Sequence, residues 1–158
     1  MIDEVDRKIL VMLQENARVS NAVIAREVGM APSAIHERVR KLEERGIIEG
    51  YHARFNPRSL GYGLLAFVYV SSKDGCWCPD THRELCEIPE VQECHGIAGE
   101  DCFLVKVRAQ DTRHLNRILR DRFSTISSVT ATRTTIALET NKESQCLPLG
   151  EVDDAQSL

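Results

Sequence analysis

The sequence lacks any apolar run close to the roughly 20 residues that a membrane-spanning helix needs. Its first residues, Met1-Ile2-Asp3-Glu4, are acidic and lack the basic and apolar segments of a signal peptide. We therefore expect a cytoplasmic protein with no membrane partner, in which the six cysteines mostly stay reduced. The length of 158 residues allows one compact domain or two small ones joined by a linker.

An excess of positive charge is also missing, since the formal net charge is −4. Residues 1–138 hold equal numbers of basic and acidic side chains. The acidic excess lies beyond them, where Lys142 alone opposes Glu139, Glu143, Glu151, Asp153 and Asp154. Binding to nucleic acid would therefore need a locally clustered positive face. Residues 141–158 resemble a flexible acidic tail.

Motifs typical of enzymes are absent as well. The sequence contains no Gly-x-Gly-x-x-Gly, phosphate loop or nucleophile elbow. Cys94 and His95 are neighbours in a predicted strand, so their side chains point to opposite faces and cannot form a nucleophile–base pair. We expect no catalytic activity and no cofactor.

Three helices are predicted in the first 45 residues. Apolar residues recur at helical spacing in 3–15, 20–28 and from Pro32 to about Arg45. Asp3 and Ser20 are candidate N-caps, and Gly29 and Gly46 are the expected stop signals.

Residues 20–45 have the spacing of a helix-turn-helix. Ala25 is small where two helices approach, Gly29 follows four residues later at the turn, and Ile35 reaches back to close the corner. In this motif the second helix enters the major groove. A plain three-helix bundle with a solvated charged face is the structural alternative. The functional alternative is a ligand or metal sensor whose DNA contact is vestigial.

The predicted DNA-contacting residues are Ser20, Ser33, His36, Arg38, Arg40 and Lys41. Arg40 and Lys41 each have glutamates three or four residues away, so either may be held in ion pairs on its own helix. Arg38 has no acid at those spacings, which predicts that it is the freest of the three.

The second half alternates in the order β-α-β-β-α-β, which is the ferredoxin-like pattern. We expect a helix-turn-helix domain at 1–50, a linker at 51–62 and the ferredoxin-like domain at 63–140, giving an α+β protein. Helices on one face of such a sheet leave the other face for a second subunit.

The chain resembles the Lrp/AsnC (feast/famine) transcriptional regulators. The resemblance rests on Ile2–Leu10, Ala31–Ile48, Gly50–Ala53, Leu60-Gly61 and Gly99–Val107. It implies the winged form of the helix-turn-helix, the tether strand, dimers paired through the sheets and further assembly to octamers. It also implies that an amino-acid effector binds between dimers, near the turn that joins the middle strands.

The effector residues implied by the resemblance are His95, Gly96, Gly99, Glu100, Asp101, Cys102, Thr132 and Thr134. Two positions depart from the family pattern: Cys102 stands where many members have Asp, and Ala31 stands where a capping Ser is common. From the residues alone, 98–101 also fits an ordinary hairpin turn with solvated acids. Glu100 or Asp101 is the expected partner of an ammonium group.

We expect no metal site; the cluster with zinc-type ligands that comes nearest to one is Cys76, Cys78, His82 and Cys86. Their spacing is not that of a standard zinc finger, and a loop with free thiols is the alternative. Cys94 and Cys102 are expected to be small apolar fillers in strands.

Overall fold

The computed structural model describes residues 2–149, and these form two compact units. The first comprises residues 2–54 and 143–149, and the second comprises residues 55–142. Part of the predicted acidic tail, 150–158, lies outside the described residues. Within the described residues, no helix combines the length and apolar character needed to cross a bilayer.

The first unit contains three helices, whose predicted bounds are confirmed to within a residue: α1 Glu4–Glu15, α2 Asn21–Val28 and α3 Pro32–Glu44. Asp3 caps α1 in a reciprocal capping box with Asp6, and Ser20 caps α2 by accepting the Val23 N–H. Gly29 ends α2 in the left-handed region at φ 71°. Ala31 makes no side-chain cap, as its methyl group dictates.

The core of the first unit is small and aliphatic. Ile9 of α1, Ile24 and Ala25 of α2, and Ile35 and Leu42 of α3 are almost fully buried against one another. All three helices therefore place their apolar stripes on one shared centre.

The segment after α3 was expected to be either a tether strand or a linker. No strand occurs between α3 and residue 63 in the described chain; a single 3-10 turn at Arg58–Leu60 is the regular structure there. The tether strand expected within 51–62 is thus irregular in the single chain. An extended segment with no neighbouring strand has no ladder of hydrogen bonds to form.

The second unit has the predicted ferredoxin-like order. Its elements are β1 Leu64–Ser72, α4 Pro79–Cys86, β2 Val91–Gly96, β3 Phe103–Ala109, α5 Thr112–Asp121 and β4 Val129–Ala137. The strands form one antiparallel sheet in the order β2-β3-β1-β4. This order separates consecutive strands β1 and β2 and leaves β2 and β4 as edges.

The two faces of the sheet differ in what covers them. On one face, β1 and β3 contribute residues such as Val68 and Val105, which pack against apolar residues of α4 and α5. On the opposite face, hereafter the open face, Phe67, Tyr69 and Leu104 remain partly exposed. The alternation follows from the two-residue period of a strand.

Candidate nucleic-acid interface and effector site

The helix-turn-helix corner forms as its spacing predicts. Ala25 and Ile35 are buried together in the core, and Gly29 supplies the positive φ that turns the chain between α2 and α3. With Ile35 and Leu42 turned inwards, α3 presents Ser33, His36 and Arg40 on its exposed side. This outer row of α3 has the polar groups that a recognition helix needs.

Arg40 is held by acids of its own helix. Its guanidinium contacts Glu37 in a bidentate arrangement, with Nη2–Oε1 at 2.7 Å and Nε–Oε2 at 3.0 Å, and it also contacts Glu44. Lys41 Nζ lies 3.5 Å from the same Glu37 carboxylate. Both Arg40 and Lys41 therefore form ion pairs with glutamates of their own helix, as the sequence spacing allowed.

The Glu37 carboxylate remains charged at all ordinary pH values. Its hydrogen bonds to Arg40, reinforced by Lys41, lower its pKa to about 2. Overall, α3 carries three basic residues and three glutamates, so it has no net charge. Any other partner of the Arg40 guanidinium must therefore compete with Glu37.

Arg38 is not free, and the prediction that it is the freest cation of α3 is wrong. Its Nη1 lies 2.7 Å from Asp3 Oδ2 and 2.7 Å from Asp6 Oδ1, both at the start of α1. The check for acids three or four residues away tests only a residue's own helix, whereas these partners are 35 and 32 residues distant. Arg38 thus connects α3 to the start of α1 through two ion pairs.

Ser20 and His36 lie where the start of α2 meets α3. The Ser20 hydroxyl accepts the Val23 N–H at 3.3 Å, which leaves its own proton available to a phosphate. His36 Nδ1 lies 3.5 Å from the Asn21 side-chain amide. This contact between Asn21 and His36 was not predicted from the sequence, because it joins two helices.

In the second unit, the Asp101 carboxylate already has two side-chain hydrogen-bond partners. Its carboxylate accepts hydrogen bonds from Ser71 Oγ at 3.1 Å and from Arg133 Nη2 at 2.8 Å. The Arg133 guanidinium also stacks over the Tyr69 ring, 3.9 Å from its centroid. These three neighbours were not predicted, because the β1–β4 register that places Arg133 opposite Tyr69 appears only in the sheet.

The expected effector residues divide between the two faces of the sheet. His95 is paired with Leu104, which places it on the open face. Thr132 and Thr134 are paired with Val70 and Val68, so they lie on the helix-covered side of edge strand β4. Within one chain, the threonines and the Asp101–Arg133 pair therefore do not face a common space.

The turn itself offers one uncommitted carboxylate. Glu100 is exposed, and Gly96 and Gly99 flank the turn, the latter at φ 156°. Cys102 is buried beside Cys76, and its thiol raises the pKa of Cys76 through a hydrogen bond. Cys102 therefore faces the interior and is not available to meet an ammonium group as an Asp would be.

The structure does not assemble the suggested Cys76–Cys78–His82–Cys86 cluster. Cys76 lies with Cys102, and Cys78 lies at the start of α4, where the N–H groups of Thr81 and Asp80 lower its pKa. His82 and Cys86 do meet, with Nε2 and Sγ 3.5 Å apart, but their third neighbour is Cys94. Burial and the adjacent Cys86 thiol raise the pKa of Cys94 to about 12.

Comparisons with known proteins agree with both units. A winged helix-turn-helix DNA-binding family model matches residues 2–49, and the Lrp/AsnC ligand binding domain matches residues 65–147. The HTH-type transcriptional regulator FL11 of Pyrococcus horikoshii is 37% identical over 94% of this chain and 97% of its own length.

Solved structures give the same result. E. coli AsnC superposes with a TM-score of 0.85 at 31% identity, covering 92% of this chain and 98% of AsnC. A feast or famine regulatory protein from M. tuberculosis, solved in complex with L-methionine, has a TM-score of 0.85 at 34% identity over 93% and 99% of the two chains. With the corner of α2 and α3 in place and both units matched in order, the chain belongs to the Lrp/AsnC family of DNA-binding transcriptional regulators.

Proposed function

We propose that α3 reads operator DNA through Ser33, His36, Arg40 and Lys41, while Ser20 at the start of α2 contacts a phosphate. The observation that carries this proposal is the buried Ala25–Ile35 corner, which leaves the outer row of α3 exposed. A bidentate arginine contact with guanine is the commonest specific contact in the major groove, and Arg40 is the arginine on that row.

Arg40→Ala is the direct test of DNA reading. It should weaken binding to a duplex from the chain's own upstream region by about 1–3 kcal/mol. The matched control is Arg83→Ala, since Arg83 is also an exposed arginine and pairs with Asp80 three residues away on α4. Binding should also fall steeply with salt. Unchanged affinity for Arg40→Ala would remove this residue from base reading.

We further propose that an amino acid binds at the 97–102 turn of the second unit. Because Asp101 is engaged by Arg133 and Ser71, the exposed Glu100 carboxylate is the better partner for an ammonium group. The amino acid's carboxylate would be met by backbone N–H groups of the glycine-containing turn. Support comes from the structures of two similar regulators, from M. tuberculosis and from Neisseria meningitidis, which were solved in complex with L-methionine.

Thermal stabilisation measured across the twenty amino acids tests this second proposal, with L-methionine as the first probe. Glu100→Gln should reduce the stabilisation, whereas Glu87→Gln, an exposed glutamate after α4, should not. If no amino acid raises the melting temperature, effector binding at this turn is refuted while DNA binding is untouched.

The open face fits a homodimer interface. Phe67, Tyr69 and Leu104 form a partly exposed apolar strip on a sheet whose other side is covered by α4 and α5. A second copy would bury this strip, and the dimers would assemble further to octamers. Light scattering coupled to size-exclusion chromatography should give a mass that is a multiple of two chains, and the mass of a single chain would contradict this assembly.

A further inference from the structure

Three metal-ligating side chains meet between α4 and β2. His82 and Cys86 are four residues apart and therefore lie on the same side of α4. Cys94 comes from β2, the edge strand that α4 packs against. The Nε2 atom and the two Sγ atoms all lie within 4.8 Å of one another.

The fold determines which residue of β2 reaches this point. Cys94 is paired with Val105, which is fully buried on the helix-covered face of the sheet. Its neighbours Glu93 and His95 are paired with Lys106 and Leu104 on the open face. Because side chains alternate along a strand, Cys94 faces α4, whereas Glu93 and His95 face the opposite side of the sheet and cannot reach that helix.

The separations suit a tetrahedral ion. Ligands at the usual zinc–sulfur and zinc–nitrogen distances, about 2.3 and 2.0 Å, are about 3.5 Å apart when they occupy two corners of a tetrahedron. Cys86 Sγ and His82 Nε2 are 3.5 Å apart. Two thiolates and an imidazole are a donor set that favours Zn²⁺ over the hard cations Mg²⁺ and Ca²⁺.

We propose that His82, Cys86 and Cys94 bind one Zn²⁺ ion. Both thiols bind as thiolates, so two protons pass to solvent for each ion bound. His82 and Cys86 are exposed, so the fourth position is open to water or to a small ligand. The bound ion would cross-link α4 to β2, and β2 is the strand that leads directly into the 97–102 turn.

The test uses the full chain, reduced and stripped of metal under anaerobic conditions. Zn²⁺ is titrated in competition with a chromophoric chelator, and Co²⁺ is used as a spectroscopic probe. We expect one Zn²⁺ per chain, together with the thiolate-to-cobalt charge-transfer band and the intense visible bands of tetrahedral Co²⁺.

Variants separate this site from the other thiols. Cys94→Ser, Cys86→Ser and His82→Ala should each weaken Zn²⁺ binding by at least about tenfold, since even loss of an outer-shell partner costs that much. Cys78→Ser and Cys146→Ser should bind as the unmodified chain does. His82 is exposed, so its replacement leaves the core intact and keeps the test valid if a cysteine variant misfolds.

Three outcomes would overturn the proposal. They are failure of the reduced chain to compete with the chelator, an affinity that depends on Cys78 and not on Cys94, and a cobalt complex without thiolate charge transfer. Recovery of a Cys86–Cys94 disulfide from a chain that binds no zinc would identify the pair as a redox couple instead.

Discussion

The ion pairs between α1 and α3 allow a test in which distance is held constant and burial varies. Arg38 Nη1 lies 2.7 Å from a carboxylate oxygen of Asp3 and 2.7 Å from one of Asp6. The Asp3 side chain is 52% exposed and the Asp6 side chain is 10% exposed. Replacing each aspartate by asparagine removes the charge and keeps the shape.

The expected energies differ because water screens the two contacts differently. Asp6→Asn removes a charge-assisted hydrogen bond in a dry setting, which we expect to cost about 2 kcal/mol, below the 3–5 kcal/mol of a fully buried pair because Arg38 keeps Asp3. Asp3→Asn removes an exposed pair, and asparagine is as good an N-cap as aspartate, so the cost should be about 0.5 kcal/mol.

Hydrogen exchange resolved by peptide fragment measures the effect within the first unit. A loss of 2 kcal/mol corresponds to about 30-fold faster exchange of the protected amides in α1 and α3, where exchange proceeds through opening of the unit. Amides of β1 and β3 serve as the internal control and should be unchanged. Equal acceleration by the two variants, or less than about threefold for Asp6→Asn, would refute the idea that burial sets the energy of these contacts.

Three further predictions follow from other contacts. Glu37→Gln should tighten DNA binding several-fold and steepen its salt dependence because it removes the acid that Arg40 and Lys41 share and leaves Arg40 with Glu44 alone; fluorescence anisotropy at several salt concentrations measures both, and no change in either would contradict it. Gly29→Ala should cost the first unit roughly 1 kcal/mol, since the added methyl meets no atom but the left-handed φ is strained; urea denaturation followed by circular dichroism should show it. Lys106 lowers the pKa of Glu93, so this pair stabilises the fold above the ordinary carboxyl pKa of 4.5 and is lost as pH falls through the lower folded value; the stability deficit of Glu93→Gln at pH 7 should therefore shrink in acid.

Features that depend on local sequence were predictable. The caps at Asp3 and Ser20 and the stop at Gly29 act within one helical turn, so their signals are complete in a few residues. The strands of the second unit were equally clear from their composition and from the turns between them. The ferredoxin-like order then limited the topology to one common arrangement.

Features that depend on the packing of distant segments were not predictable from local patterns. The partners of Arg38 lie on another helix, and those of Asp101 lie on two other strands. Cys94 reaches His82 only because β2 packs beneath α4. The segment expected as a tether strand or a linker is irregular because no described strand pairs with it. In each case, the sequence did not show which distant residues lie next to one another in the folded chain.

If Arg40 reads DNA as proposed, its pairing with Glu37 has a consequence for how the protein searches a genome. DNA of any sequence presents the same regular array of phosphates, and a helix with no net charge binds that array only weakly. A DNA site that offers a base edge to the Arg40 guanidinium and contacts to the neighbouring side chains of α3 can compensate for the lost ion pair between Arg40 and Glu37. Under the proposed reading of DNA by Arg40, Glu37 would shorten the time spent on wrong sequences more than on the right one, so that discrimination improves at the expense of affinity.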